Sequence, residues 1–323
     1  MTAIVGIGGG IGASRLWRVL AAATDPSRLT LVVNTGDDIW HRGLRICPDL
    51  DTTLYALSDR QDVERGWGLR DETFRCMEEL RALGEEVWFN LGDRDLATHL
   101  LRTELLRDGA GLAEVTARLA AAMGVAARVL PATEQEVVTT IETADGRRLH
   151  YEEFLVREQV RPPVRAVVYD GADAARPAPG VLDAIAGADL IVLAPSSPPA
   201  SIAPVLAVPG VRDAICAARA PVVAVSPIVS GVPLEDPGDR GRAEARAALL
   251  GCAGVAPTAT GVAGVYRHLC DRFVLDTADD AELPAVRELG LDAVAVPTLL
   301  HRGAPAQPLL DTLLTVPAEA PWS

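Results

Sequence analysis

Lysine is absent from the sequence, and aromatic residues are scarce. All 30 basic residues are therefore arginines, and aromatic residues make up only 4% of the chain. Without lysine, the protein has neither a Schiff-base lysine nor the lysine of a Walker A phosphate-binding loop. Hydrophobic residues reach 49%, so the core must be built from Ala, Val, Leu and Ile. Such a core suits buried parallel strands that are covered by helices on both faces.

Cysteine pairs, long apolar runs and a leader-like start are also missing. The five cysteines are scattered without a CxxC pair, which is typical of reduced cytoplasmic thiols rather than of a disulfide framework or a zinc site. No run of about 18 apolar residues is free of charge and proline, so we expect no membrane span. The chain begins directly with a strand pattern, which argues against a signal peptide. The sequence predicts a cytoplasmic protein.

The chain also lacks an excess of positive charge, since its formal net charge is −14. Nucleic acid is therefore not an expected partner, because no bulk basic field is available to displace counterions from its phosphates. A small phosphorylated ligand remains compatible with this charge. It requires only a local cluster of arginines and backbone N–H groups.

The order of apolar segments predicts an α/β fold with a Rossmann-like, doubly wound and mostly parallel sheet. A first strand, a glycine cluster, a helix over 13–23 and a second buried strand form the opening unit of such a sheet. The long segment 35–50 is expected to be a functional loop. The predicted strands of the core cover residues 3–8, 29–34, 164–169, 190–194, 222–226 and 273–275.

Between residues 52 and 160 the pattern changes, and we predict a helical segment with a β-hairpin inserted into the core. Residues 136–156 alternate between apolar and polar types, and Asp145-Gly146 marks a hairpin turn. The core itself would then be formed by residues 1–51 and 161–323. The other elements expected here are helices near 51–58, 71–83, 96–107 and 112–123 and a strand at 87–91.

Five glycines crowd the segment Gly6–Ala13, between the first strand and the first helix. Glycine lets a backbone approach a phosphate closely, and a helix N-terminus points its N–H groups at it. The part Gly8-x-Gly10-x-x-Ala13 also fits a dinucleotide fingerprint, which would make the chain an NAD-dependent oxidoreductase. That fingerprint expects an acid at the end of the second strand, where this chain has Asn34. A tight turn without any ligand is the third interpretation.

Four aspartates follow the glycine loop in two short motifs, NTGDD and CPDLDT. Asp37 and Asp38 lie beyond the second strand, and Asp49 and Asp51 lie at the predicted start of a helix. Helix capping and turn formation explain such residues without a ligand. Beside a phosphate-binding loop, however, four carboxylates would repel an anionic ligand unless a cation stood between them. We therefore expect magnesium, held by one or two carboxylates and by the phosphates of the ligand.

Three further polar segments follow predicted strands. LGDRDLATH contains Asp93, a candidate helix cap, and Arg94, whose guanidinium fork suits a phosphate or a carboxylate. APSSPPASI contains Ser196, and SPIVSG contains Ser226 and Gly231. Since the carboxyl ends of parallel strands meet at one edge of a sheet, we expect the last two segments to face the same crevice.

Taken together, these segments resemble the 2-phospho-L-lactate transferase family, in particular its actinobacterial phosphoenolpyruvate transferase branch. The similarity extends along nearly the whole chain and includes the glycine loop, VVNTGDDIWHRGLRICPDLDT, RGWGLRDETF, WFNLGDRDLATHLLRT, LAPSSPPASI and VSPIVSG. The combination of CPDLDT with LGDRDLATH is specific. The resemblance implies a magnesium-dependent enzyme of coenzyme F420 biosynthesis, and the fold relatives suggest a homodimer. Such an enzyme transfers a phosphoenolpyruvyl or 2-phospholactyl group from a guanosine-diphosphate-linked donor to the deazaflavin Fo and releases GMP.

The resemblance also implies roles for particular residues. Asp38, Asp49 and Asp51 would be metal ligands. Asp49, Asp51 and Asp93 would be the catalytic acids, and residues 52–160 would form the acceptor side. The residues implied to contact the guanylate and phosphate groups are Gly9, Gly10, Gly12, Asn34, Arg94, Ser196, Ser226 and Gly231.

The chain departs from the family pattern at Ile11, Ser197 and Ser230, and Leu234-Glu235-Asp236 adds negative charge after the last motif. Phosphoenolpyruvyl, phospholactyl and phosphoglyceryl transfer therefore all stay open. A non-enzymatic nucleotide-sugar-binding regulator of the YvcK-like type is a further alternative. Those relatives have a glycine-serine-rich sequence after the paired acids, whereas this chain has IWHRG at 39–43, which favours the enzyme.

Overall fold

The computed structural model describes residues 2–231, 237–300 and 306–315 of the chain. Strands and helices alternate along these residues. The strands in chain order are β1 Ile4–Gly8, β2 Leu29–Val33, β3 Ile39–His41, β4 Leu44–Ile46, β5 Arg128–Pro131, β6 Val138–Thr143, β7 Arg148–His150, β8 Val164–Asp170, β9 Leu190–Leu193, β10 Val222–Val225, β11 Arg272–Leu275 and β12 Asp292–Ala295. The helices are α1 Gly10–Ala23, α2 Pro48–Leu57, α3 Arg75–Ala82, α4 Asp93–Arg107, α5 Leu112–Ala122, α6 Val181–Ala186, α7 Ala203–Ala207, α8 Val211–Ala217, α9 Pro237–Cys252, α10 Ala259–Tyr266, α11 Leu283–Glu288 and α12 Gln307–Leu314. Short π-type turns of helix lie at Glu153–Arg157 and Pro198–Ile202.

A seven-stranded sheet forms the centre, in the order β12-β11-β10-β9-β1-β2-β5. Every neighbouring pair in it is parallel. The strand order reverses at β1, which has β2 on one side and β9 on the other. In open α/β sheets, ligands bind at the carboxyl edge beside such a switch point. The predicted α/β fold, with a doubly wound and mostly parallel sheet, is confirmed.

Apolar layers cover both faces of this sheet. One layer contains residues of α1, α2, α5 and α12, and the other contains residues of α6, α8 and α10. Trp17 of α1 is fully buried against β1, where burial of a large apolar side chain contributes about 1.5–3 kcal/mol. Gly6 makes room for it, because a Cβ at that position would collide with the Trp17 ring.

A second sheet, in the order β7-β6-β8, is antiparallel and lies beside the core. The predicted hairpin is present, with Gly146 at φ +85° in its turn. The expectation that residues 164–169 join the central sheet was wrong, because β8 pairs with β6. The physical reason is burial: β8 is only partly buried along its length, whereas β9 and β10 have the fully buried pattern of parallel strands.

Short elements account for the other differences. The expected loop at 35–50 contains the hairpin of β3 and β4, whose turn has Arg42 and Gly43 at positive φ, and also the first turn of α2. Residues 87–91 are not a strand, although Leu91 packs in an apolar cluster with Met77. Two edge strands, β5 and β12, have four residues each and were not predicted.

The predicted inserted segment 52–160 includes α3, α4, α5 and the hairpin of β6 and β7. It also contributes β5 to the edge of the central sheet, and the small sheet takes β8 from beyond it. The boundaries at 52 and 160 therefore do not coincide with the boundaries between the two sheets.

Candidate functional site

The glycine loop connects β1 to α1 at the switch point of the sheet. Gly9 is the N-cap residue of α1, and no side chain caps this helix. A Cβ on Gly9 would collide with the Asp49 carboxylate, and a Cβ on Gly12 would collide with the backbone carbonyl of Pro195. Close packing therefore requires glycine at both positions. Gly10 also requires it, because its φ is +74°.

Asp49 lies in the first turn of α2, and its buried carboxylate packs against this loop. It accepts a hydrogen bond from Asn34 Nδ2 at 2.9 Å and another from the backbone N–H of Gly10. Burial raises the pKa of Asp49 to about 6, although both hydrogen bonds oppose the shift. Asn34 occupies the end of β2, where a dinucleotide-binding protein has its ribose-binding acid. Asn34 is not an acid, and its side chain is hydrogen-bonded to Asp49, so this position does not support an NAD-dependent oxidoreductase.

Asp37 and Glu152 join Asp49 in what we call the acid cluster (Asp37, Asp49, Glu152). Burial raises the pKa of Asp37 well above its usual range, and repulsion from Asp49 and Glu152 adds to the effect. Burial likewise raises the pKa of Glu152 to about 8, with repulsion from Asp49 as the next cause and attraction by Arg242 opposing it. Asp37 Oδ1 is buried and has no hydrogen-bond partner within the described residues. The cluster therefore concentrates ionisable carboxyl groups beside the glycine loop.

Oxygen donors and mutual repulsion make the acid cluster suitable for a hard divalent cation. Magnesium prefers carboxylate oxygens together with the oxygens of phosphates and water. A cation there would bind the unpartnered Asp37 oxygen and relieve the repulsion that adds to the effect of burial on the pKa values of Asp37 and Glu152. Sequence reasoning named Asp37 only within its motif and missed Glu152, which is brought in by the small sheet from a distant part of the chain. No spacing in the sequence indicates that contact.

Asp51, although it is close to Asp49 in sequence, belongs to a different group of side chains. Residues two positions apart on an α-helix are separated by about 200° of rotation, so the two carboxylates project from opposite sides of α2. Asp51 pairs with Arg102, whose Nη1 donates to Asp51 Oδ2 at 3.1 Å and whose Nη2 donates to Oδ1. The structure therefore does not bring Asp49 and Asp51 to one site.

A buried polar network surrounds that ion pair. His99 lies between two acids, with Nδ1 3.6 Å from Asp51 Oδ2 and Nε2 3.4 Å from Asp95 Oδ1. Tyr55 donates a hydrogen bond to Asp95. The ligand atoms of Asp51, Asp95 and His99 lie within 4.8 Å of one another, a spacing that suits a metal ion. The Arg102 guanidinium already neutralises Asp51, so this network requires a cation less than the acid cluster does.

Asp38, the third predicted metal ligand, pairs with Arg45 at 3.4 Å. Burial raises the pKa of Asp38 to about 7, and attraction by Arg45 opposes the shift. Its backbone carbonyl lies 3.3 Å from Nε2 of His150. Asp38 therefore lies beside both groups of acids, and its negative charge contributes to the repulsion acting on Asp37.

Asp93 and Arg94 lie at the start of α4, where their contacts are mainly those of helix caps. Asp93 accepts hydrogen bonds from the backbone N–H groups of Arg75 and Cys76, both at 3.0 Å, and so caps α3. Glu72 caps α4 in return, by accepting from the backbone N–H of Arg94 at 2.7 Å. The Arg94 side chain is exposed and donates to the carbonyl of Arg70. Neither residue contacts the acid cluster, and their predicted roles stay predictions.

Ser196, which follows β9, forms hydrogen bonds to the glycine loop. The last two predicted residues, Ser226 and Gly231, follow β10. Ser196 Oγ donates to the carbonyl of Gly9 at 2.8 Å and accepts from its N–H at 3.2 Å. Ser226 Oγ accepts from the N–H of Ile228 at 3.1 Å. Gly231 is exposed at φ +71°. The acidic segment noted after it in the sequence lies outside the described residues.

None of the helices in the described ranges has, by itself, the length and apolar character to cross a membrane. One pair, Pro198–Ala207 and Val211–Ala217, meets the length and composition criteria only when taken together, and it is bent by 88°.

Comparison with known proteins matches this chain to one family along most of its length. The family described as 2-phospho-L-lactate transferase CofD matches residues 4–295. A phosphoenolpyruvate transferase of Kitasatospora aureofaciens is 43% identical over 303 residues, which cover 92% of each chain. One of Mycolicibacterium smegmatis is 40% identical over 311 residues, which cover 91% of each chain.

Solved structures show the same fold. A crystal structure of a UPF0052 family protein from Bacillus halodurans matches with a TM-score of 0.60 and covers 96% of this chain and 98% of that one. Its sequence is only 19% identical, so the likeness concerns architecture alone. The family match and the identity to curated relatives agree with the resemblance of the sequence motifs. The chain belongs to the 2-phospho-L-lactate transferase (CofD) family.

Proposed function

We propose that this transferase moves a phosphoenolpyruvyl group, or a 2-phospholactyl group, from a guanosine-diphosphate-linked donor to the ribityl hydroxyl of the deazaflavin Fo and releases GMP. The observation that carries the proposal is the acid cluster packed on the glycine loop at the switch point of a CofD-family sheet. The names of the curated relatives favour phosphoenolpyruvyl as the group transferred. The phosphoglyceryl donor is a further possibility to test.

The reaction exchanges a phosphoanhydride bond of the donor for a phosphate ester bond to Fo. The Fo hydroxyl oxygen forms a bond to the phosphorus that carries the three-carbon acid, the phosphoanhydride bond breaks, and GMP leaves with the bonding electrons. The hydroxyl proton passes to a base, for which the carboxylates of the acid cluster are the nearest candidates at this site. Phosphoryl transfer depends mainly on positioning and on charge neutralisation.

Magnesium is the proposed cofactor, with the acid cluster as its binding site. Asp49 and Asp37 would hold it, with Glu152 beside them. When bound, it would neutralise the charge on the diphosphate of the donor. The chain's own contribution is to fix Asp49 through Asn34 and Gly10 and to present the first turn of α1, which has no side-chain cap, to an anion. We further propose a cytoplasmic homodimer.

Mass spectrometry of the products provides the test. The purified protein is incubated with Fo and, separately, with the guanylylated forms of phosphoenolpyruvate, 2-phospholactate and phosphoglycerate, with and without magnesium. We expect a deazaflavin phosphodiester together with GMP from at least one donor, only when magnesium is present. Asp49→Asn should abolish that product. If no donor gives a deazaflavin product, the proposed function is wrong.

A further inference from the structure

Two arginines on α9, Arg242 and Arg246, face the same region as the acid cluster. They are one helical turn apart, and α9 packs through Ala245 and Leu249 against Tyr151 and its apolar neighbours. The helix also contacts the π-type turns at 153–157 and 198–202. The residue next to Tyr151 is Glu152 of the acid cluster. Both arginines are partly buried: Arg242 is close enough to Glu152 to act on its pKa, and Arg246 lies beside Tyr151.

Arg246 is poorly satisfied by the protein. Its Nε is buried and has no hydrogen-bond partner within the described residues. Burial lowers the pKa of Arg246, Tyr151 opposes that shift, and repulsion from Arg242 adds to it. Like charges four residues apart on a helix are unfavourable, and an unpaired buried donor has a further cost. Tyr151 and Asp239 attract the guanidinium, but they leave its Nε without a hydrogen bond.

Arg242 connects the pair to the rest of the site. Its Nη2 donates to Asp239 at 2.8 Å, and its charge acts on Glu152. A Cβ on Gly66 would lie 3.8 Å from Arg242 Nη2 and 3.4 Å from Ile11 of the glycine loop. Arg242 is thus close to both the acid cluster and the glycine loop. Cationic and anionic side chains therefore lie close together here, an arrangement that suits an anion and a cation bound together.

We propose that Arg242 and Arg246 form an oxyanion subsite that binds the donor, through the oxygens of its diphosphate or of its three-carbon acid. This inference rests on the proposed function, because it assigns residues to the donor of that reaction. Arginine suits the role, since its planar fork donates two parallel hydrogen bonds to a phosphate or a carboxylate. An incoming anion would satisfy the buried Arg246 Nε and would offset the repulsion between the two guanidinium groups. Nothing in the sequence motifs points to either residue.

The experiment measures binding by calorimetry with magnesium present, using GDP and phosphoenolpyruvate as separate probes. The proteins are the wild type, Arg246→Met, Arg242→Met, Arg246→Lys and Arg212→Gln. The last is the matched control, because Arg212 is an exposed arginine on α8. We expect Arg246→Met to weaken at least one probe by roughly tenfold or more, as for loss of a hydrogen bond to a charged group. Arg246→Lys should recover only part of the affinity because the fork is lost.

The outcomes separate a ligand-binding role from a structural one. We expect the melting temperature of Arg246→Met to stay equal or to rise, since an unpaired donor and a like-charge contact are removed; a purely structural arginine would lower it. Weaker GDP binding assigns the pair to the diphosphate, and weaker phosphoenolpyruvate binding alone assigns it to the three-carbon acid. If folded Arg246→Met and Arg242→Met bind both probes like Arg212→Gln, the subsite is refuted. If the wild type binds neither probe, the proposed donor is wrong, and the subsite with it.

Discussion

At the scale of single residues, the contact between Gly9 and Asp49 determines the geometry of the site. The carboxylate occupies the space that a side chain at position 9 would take. The carboxylate is also held by Asn34 and by the Gly10 backbone. The glycine loop therefore admits an acid beside the first turn of α1, where we propose that a phosphate binds. Gly10 and Gly12 have other reasons to be glycine, a positive φ and close packing on the Pro195 carbonyl.

The Gly9→Ala variant tests this contact. The added methyl group must displace the Asp49 carboxylate, and a displacement of about 1 Å at a catalytic site lowers the rate roughly hundredfold. We expect a loss of kcat/KM of that order in the transferase assay, together with weaker magnesium binding. The matched control is Gly251→Ala, since Gly251 is exposed on α9 and a Cβ there meets no atom within 4 Å. Wild-type kcat/KM in Gly9→Ala would contradict the assigned geometry.

A second feature at this scale is the ion pair of Asp51 and Arg102 in the buried polar network. Arg102 is 1% exposed, so its removal leaves a buried carboxylate without its partner. We expect Arg102→Met to lower the free energy of unfolding by about 3–5 kcal/mol, as for other broken buried pairs. Arg165→Met is the control, because the exposed Arg165 pairs with Glu142 at 2.8 Å and such surface pairs contribute at most about 1 kcal/mol. Urea unfolding measures both, and equal losses would be evidence against a structural role for the pair.

At the scale of secondary-structure elements, α10 contains two glycines with opposite surroundings. A Cβ on Gly264 meets no atom within 4 Å, whereas a Cβ on Gly261 collides with the backbone carbonyl of Ala256. We expect Gly264→Ala to raise the free energy of unfolding by about 0.5–1 kcal/mol, because alanine restricts the unfolded chain and favours a helix. Gly261→Ala should lower it, since backbone atoms must move. Thermal unfolding compares the two, and the same sign for both would contradict this description of α10.

The strands also show which parts of the fold can be predicted from the sequence. The strands β1, β2, β9, β10 and β11 were predictable because each is an apolar run with buried side chains on both faces. The strands β3 and β4 have only three residues each, and β5 and β12 are edge strands that begin with an exposed charged residue. The small sheet contains β8 because of a pairing with β6 that local pattern does not encode.

In the candidate site, too, some residues could be predicted from the motifs, whereas others are brought in only by the fold. Asp49 was predictable from CPDLDT, but the helix was expected to begin near residue 51, and it begins at Pro48. Once both acids lie on one helix, periodicity alone separates Asp49 from Asp51. Glu152 joins the acid cluster, and Arg246 approaches Tyr151, only through the packing of the small sheet and α9, and contacts of that kind have no signature in one sequence.

At the scale of the whole molecule, the acids of the site are part of a chain with a formal net charge of −14. Burial, the main cause, raises the pKa values of Asp49, Asp38 and Glu152 to about 6, 7 and 8. In an unfolded chain, carboxyl groups titrate near 4. Between pH 4 and 8, the folded protein therefore retains protons that the unfolded chain has released. These three carboxyl groups make stability fall as the pH rises through this window, because the unfolded state binds fewer protons at them. Burial lowers the pKa values of His41 and His150, so these two groups act in the opposite sense.

Melting temperatures measured at constant ionic strength, with and without magnesium, test this linkage. Without magnesium, we expect the melting temperature to decrease from pH 5 to pH 8. With magnesium, the decrease should be smaller, because a cation binds the deprotonated folded acids and stabilises the folded state by mass action. The stabilisation by magnesium should therefore grow with pH, and Asp49→Asn should reduce it. A melting temperature that rises from pH 5 to pH 8 without magnesium would contradict the raised pKa values, and an effect of magnesium that does not depend on pH would place the cation away from the acid cluster.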